Sequence, residues 1–195
     1  MEHDAAADDF RVRALQPGDA PAWLHFFDHV AFADNPRWAG CYCQYPTVDH
    51  TQEDWAGRSA QTNRERACHR LASGEQTGVV AESGGQVVGW CHVGPWQACT
   101  IMDDRSPEPL APRLAAVSCF VIAPAWRGRG VARALLTEAC RLLQARGFEA
   151  VDGWTSPEAT TVQDMHTGPR ALYESLGFER LREVDGRWVM RRRLV

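Results

Sequence analysis

The stretch from Leu114 to Arg146 constrains the fold more than any other part of the chain. Leu114 to Ile122 is almost wholly apolar, as a strand buried on both faces should be. Pro124 and the turn Arg127-Gly128-Arg129-Gly130 interrupt it. Apolar residues then recur at 131, 132, 135, 136, 139, 142 and 143, one face of a helix, and Gly147 supplies the stop signal. Phe148 to Trp154 is the next strand. A strand-helix-strand unit of this kind crosses over right-handedly and leaves its two strands parallel.

The start of such a helix is an anion site. Its first amides lack internal partners and its dipole is positive there, so a phosphate is stabilised. Gly128 and Gly130 let the backbone approach a diphosphate without side-chain obstruction, and Arg127, Arg129 and Arg133 can add charge-assisted hydrogen bonds. A dinucleotide fingerprint would require a third glycine where Arg133 stands, so that reading fails. The segment Arg127-Gly128-Arg129-Gly130-Val131-Ala132 resembles the signature of the GNAT superfamily of acyl-CoA N-acyltransferases: Arg or Gln, two residues, Gly, one residue, then Gly or Ala. Arg127, Gly130 and Ala132 fill it, after the hydrophobic strand ending Phe120-Val121-Ile122-Ala123-Pro124. The resemblance covers roughly residues 75 to 195 well, and the first third only by the order of elements.

That resemblance implies an α+β GNAT fold, a mixed and mostly antiparallel sheet flanked by helices. In it a splayed parallel pair, Leu114 to Ile122 beside Phe148 to Trp154, holds the pantetheine arm of acetyl-CoA. Backbone groups of Phe120, Val121 and Ile122 would bind that arm and polarise the thioester carbonyl. The implied activity is transfer of the acetyl group to a primary amine. In the family pattern Gly168-Pro169-Arg170-Ala171-Leu172-Tyr173-Glu174-Ser175-Leu176-Gly177-Phe178, Tyr173 stands where relatives carry a Tyr near the cofactor sulfur. A phenol, with a pKa near ~10, can protonate a departing thiolate. Relatives often have Asn seven residues earlier; here His166 stands there and can still donate a hydrogen bond to the cofactor.

The attacking amine must lose a proton, which calls for a carboxylate acting directly or through water. Asp103, Asp104 and Glu108, in the proline-rich insertion 94–112, are the candidates, with Asp103 and Glu108 put forward as catalytic. Trp38, Tyr42, Tyr45 and Trp96 are candidate walls for a small or cationic acceptor, since aromatic faces hold cations well.

The remaining segments complete the pattern. Phe10 to Leu15 alternates as a half-buried strand, and Pro17 to Ala33 reads as a helix burying Trp23, Phe26, Phe27, Val30 and Phe32. Pro36 to His50 is an aromatic loop, after which a second helix starts near Thr51 and closes at Ser73-Gly74. Strands at 77–82 and 86–93 join through Ser83-Gly84-Gly85. A short helix at Pro169 to Leu176 precedes a closing hairpin about Asp185-Gly186. The expectation is one domain over 1–195, with 1–9 disordered.

Composition removes several classes. A net charge of −4 argues against sequence-independent nucleic-acid binding. Without a basic, apolar leader or an apolar run of ~18 residues, the expectation is a cytoplasmic protein with no membrane partner. A homodimer is compatible with the sequence. Seven cysteines in a chain of 195 residues read as reduced thiols. Cys41-x-Cys43, Cys68-His69 and Cys91-His92 lack zinc spacing, so no metal is expected. Cys41 and Cys43 would point the same way in an extended loop, and buried Cys119 reads as a small hydrophobe. Two rivals to the enzyme are a non-catalytic acyl-CoA sensor and a cysteine-based metal or redox module.

Overall fold

A computed structural model describes residues 10–100, 113–158, 161 and 164–194. Asp103, Asp104 and Glu108, and the leading segment expected to be disordered, lie outside the described residues.

Seven strands form one sheet: β1 (Arg11–Ala14), β2 (Gly78–Ser83), β3 (Gln86–Pro95), β4 (Leu114–Ile122), β5 (Ala150–Thr155), β6 (Glu179–Val184) and β7 (Arg187–Arg193). Their order is β1-β2-β3-β4-β5-β7-β6, and the β4/β5 pair is parallel while the others are antiparallel. The expected α+β architecture is therefore present. The α3 helix (Val131–Ala145) crosses over between the parallel strands and buries Val131, Leu135, Leu136, Ala139, Cys140 and Leu143. Burying each such leucine contributes about 1.5–3 kcal/mol. On the other face lie α1 (Ala20–His25), continued by a π-helical turn (Phe26–Val30), and α2 (Ala60–Ser73). Trp23, Phe26 and Phe27 pack there with Val80, Trp90 and Val121. A short helix, α4 (Arg170–Glu174), precedes β6.

One boundary moved. The second helix begins at Ala60 rather than near Thr51, because Ser59 caps it by accepting a 3.0 Å bond from the Thr62 amide. Asp49 instead closes a local turn onto the Thr51 amide at 2.9 Å, so the competing side-chain bond draws the backbone out of the helix.

The parallel pair is short. Only Leu114, Ala115 and Ala116 pair with Ala150, Val151 and Asp152, although both strands run on. Beyond Ala116 they diverge. At the divergence the Asp152 carboxylate, wholly buried, accepts two bonds from the Arg191 guanidinium of β7 at 2.6 and 2.8 Å. On the opposite side, β4 carries a bulge: His92 pairs with Cys119 and Val93 with Val117, which leaves Ser118 as an extra residue. A bulge bends a strand and re-aims its side chains.

Candidate active site

A cavity of about 1140 Å³ runs from the glycine turn along β4 to the loop between α1 and α2. Its first end is the helix start. Gly128 and Gly130 have φ of 74° and 81°, left-handed conformations that a side chain would strain, and no atom lies within 4 Å of where a Cβ would sit. The amides of the first turn of α3 have no intrahelical acceptor, so they and the dipole face open space able to take a phosphate. Val131, Ala132 and Arg133 border the same space.

Arg127 borders it too, but with its guanidinium engaged. It donates from Nε to the Ile122 carbonyl at 3.1 Å and pairs with Asp34, whose carboxyl it holds below the usual range. This arginine ties the end of β4 to the segment after α1. Arg129 lies outside the cavity lining, its guanidinium 5.3 Å from the centre of the Trp126 ring.

Along the middle, Ser118, Cys119, Phe120, Val121 and Ile122 of β4 present the edge that β5 abandons. Cys119 is partly exposed here, not the sealed hydrophobe expected; a thiol hydrogen bond with Cys43, and burial, hold it well above its ordinary pKa. Cys41 and Cys43 also border the cavity. They do so without the expected extended loop, since Tyr42 and Cys43 take left-handed φ values of 46° and 52°. Behind β4, the Nδ1 of His92 lies 2.6 Å from the Ser118 hydroxyl, and both residues are 2% exposed. Burial, with the nearby Arg70 charge, drives the His92 pKa down to about 3. No signal in the sequence marks this pair, because nothing in it shows that a bulge will swing Ser118 toward β3.

The loop between α1 and α2 gives the cavity an aromatic wall: Trp38, Tyr45 and Trp55 line it, with the Tyr45 and Trp55 rings edge to face at 5.0 Å. His166 also lines it, 5.2 Å from Trp38. Tyr42 and Trp96 are buried elsewhere, the former donating to Asp28 at 2.7 Å.

Tyr173 stands beside the cavity, not on its wall; Leu172 and Pro169 form the wall. The phenol is fully buried, packs edge to face on Phe178 at 5.0 Å and donates to the Thr167 carbonyl. Burial pushes its pKa well above the usual phenol value, which keeps it protonated. Gly153 of β5 and Gly168 leave room for the ring: a Cβ on Gly153 would come 2.3 Å from Tyr173 Cε1.

No group of three or more metal-ligating side chains forms among the described residues, and no helix among them is long and apolar enough to cross a membrane. The family model for the acetyltransferase (GNAT) family matches residues 37–178. No curated protein matches the sequence. Among solved structures, an N-acetyltransferase from Staphylococcus aureus Mu50 is 15% identical, with a TM-score of 0.58 over 96% of this chain and 99% of that one. A Salmonella typhimurium protein solved with its cofactor acetyl-CoA is 18% identical, with a TM-score of 0.51 over 95% and 94%. The PaiA N-acetyltransferase from Thermoplasma acidophilum, in complex with coenzyme A, is 12% identical, with a TM-score of 0.57 over 95% and 99%. At these identities the likeness is one of fold.

Proposed function

Because this chain belongs to the acetyltransferase (GNAT) family, whose activity is acyl transfer, we propose that it moves the acetyl group of acetyl-CoA to a primary amine of a small acceptor. One observation carries the reading. A single cavity joins a phosphate-ready helix start to a strand edge left unpaired by its parallel neighbour, and is walled also by the aromatic residues Trp38, Tyr45 and Trp55.

The pyrophosphate rests on the amides from Gly128 to Ala132, with Arg133 adding charge. The pantetheine arm follows Ile122, Val121 and Phe120, whose peptide groups on the abandoned edge act as the missing strand. By chain order the thioester then lies at the bulge, beside Cys119 and Ser118. The acceptor packs against Trp38, Tyr45 and Trp55 and presents its nitrogen to the carbonyl carbon. Carbon–nitrogen bond formation yields a tetrahedral intermediate, and its collapse breaks the carbon–sulfur bond. Tyr173, kept protonated by burial, supplies the proton to the departing thiolate, which requires its hydroxyl to turn from the Thr167 carbonyl toward the cavity. His166 supports the cofactor from the rim.

Incubating the protein with acetyl-CoA and a panel of small amines, aminoglycosides and peptide N-termini tests this, read by thiol release and by the mass of the product. At least one amine should raise thiol release well above hydrolysis and gain an acetyl group. Tight acetyl-CoA binding with no release across the panel would make the chain a sensor instead.

A further inference from the structure

The reaction needs a group to receive the amine proton, and the described wall of the cavity holds only one carboxylate. That is Asp34, which is committed to Arg127. The Cys119 thiol, held protonated, is no base. His166 lines the cavity against Trp38, and the side chain at the bulge, where the thioester is expected, is that of Ser118, its hydroxyl hydrogen-bonded to His92. Ser118 borders the main cavity, while His92 borders a second one of about 320 Å³ with Arg70, Glu75 and Thr77. The two side chains thus link separate cavities through a 2.6 Å hydrogen bond.

We propose that Ser118 and His92 form a proton relay that carries the amine proton from the reaction cavity, through the bulge in β4, to water in the second cavity. The inference rests on the acetyl-transfer reading above. As the carbon–nitrogen bond forms, the nitrogen passes its proton to Ser118 Oγ, and the hydroxyl proton of Ser118 moves to His92 Nδ1. The Nε2 proton leaves to water in the second cavity. Ser118 ends as it began, the imidazole is neutral throughout with its tautomer exchanged, and the departing proton is on water. After the products leave and water fills the main cavity, Nδ1 returns its proton through Ser118 while Nε2 regains one.

Burial dictates that the proton be passed on and not stored. An imidazolium in this site, beside Arg70, is strongly disfavoured, so His92 is a poor reservoir but can take and give protons on its two nitrogens together. His92 acts through Ser118 and is a positioning residue; of the pair, only Ser118 borders the main cavity. A merely structural serine–histidine bond would satisfy two buried polar groups and would leave proton transfer alone.

The test uses the full chain with Ser118→Ala, His92→Gln and the double variant, with acetyl-CoA and the best amine from the panel. Each single variant should lower kcat about 10²-fold or more while the calorimetric Kd for acetyl-CoA stays within twofold. The double variant should be no slower than the worse single one, because the two act as a unit. In mixtures of light and heavy water, the parent rate should bow as two or more protons in flight require, and the Ser118→Ala rate should fall on a straight line. Ser118→Ala, near-isosteric, serves if His92→Gln does not fold. A kcat within twofold of the parent, multiplicative losses in the double variant, or the same isotope profile in parent and variant would overturn the relay alone. A parent that binds acetyl-CoA and acetylates nothing overturns both readings.

Discussion

At the scale of single residues, position and chemistry have to be judged together. Tyr173 has the hydroxyl that the resemblance calls for, yet the ring is enclosed and its proton is given to the Thr167 carbonyl. That bond fixes the phenol beside the cavity, so the proposed role requires the hydroxyl to leave Thr167 for the thiolate. Tyr173→Phe should therefore lower turnover by about 10²- to 10⁴-fold with little change in acetyl-CoA affinity. Turnover within a factor of two of the parent, with chemistry rate-limiting, would remove Tyr173 from the mechanism. Gly130 is the opposite case, proposed to matter for what it lacks. Gly130→Asp would put a side chain on a left-handed residue and a carboxylate in the space proposed for the pyrophosphate. Calorimetry should then find no acetyl-CoA binding to a protein that still folds; unchanged affinity would move the phosphate site elsewhere.

At the scale of elements, β4 and β5 are decisive because they cooperate for three pairs and then separate. The buried Asp152–Arg191 pair ties β5 to β7 at that point, so β5 keeps its outer neighbour as it leaves β4. Next along β5, Gly153 is flat against the Tyr173 ring. Gly153→Ala should force ring and strand apart at a cost of about 1–3 kcal/mol, seen as a lower midpoint in thermal or urea unfolding. An unchanged midpoint would show that the ring has room to yield. The boundary of α2 carries a second lesson. Thr51 with Asp54 mimics a helix start in sequence, but Ser59 is the residue that caps, and only the tertiary path of the loop over the cavity selects between them.

At the scale of the whole molecule, stability is coupled to pH through groups the fold has perturbed. His92 is held neutral, with its folded pKa near 3 and its unfolded value near the ordinary ~6.5. The unfolded chain therefore binds more protons between those values, so stability falls as pH drops below about 6.5 and no further below about 3. Between pH 7 and pH 5 this loss is about 2 kcal/mol. Asp19, bonded to Arg13, and Asp28, bonded to Arg64, have lowered pKa values, and the stability they contribute is lost only in stronger acid. The urea midpoint should decline from pH 7 to pH 5, and His92→Gln should flatten that limb. A parent whose midpoint is level over this range would mean that His92 is not held neutral.

The sequence by itself determined the parts whose signals are local. Strand period, helix period and turn glycines sufficed for β4, for α3 with its phosphate-ready start, and for the closing hairpin at Asp185-Gly186, where both residues take positive φ. It also placed Phe120 to Ile122, Arg127, Gly128, Gly130 to Arg133 and His166, and the structure brings all of these to one cavity. Tertiary structure decided what depends on residues distant in the chain. It gave the Arg127 guanidinium to Asp34, enclosed Tyr173 between Gly153 and Gly168, and joined Cys43 to Cys119. It also swung Ser118 onto His92, 26 positions away. A propensity acts over one turn or one strand, whereas a bulge, a splay between strands or a buried side chain's partner is set only when the sheet has closed around it.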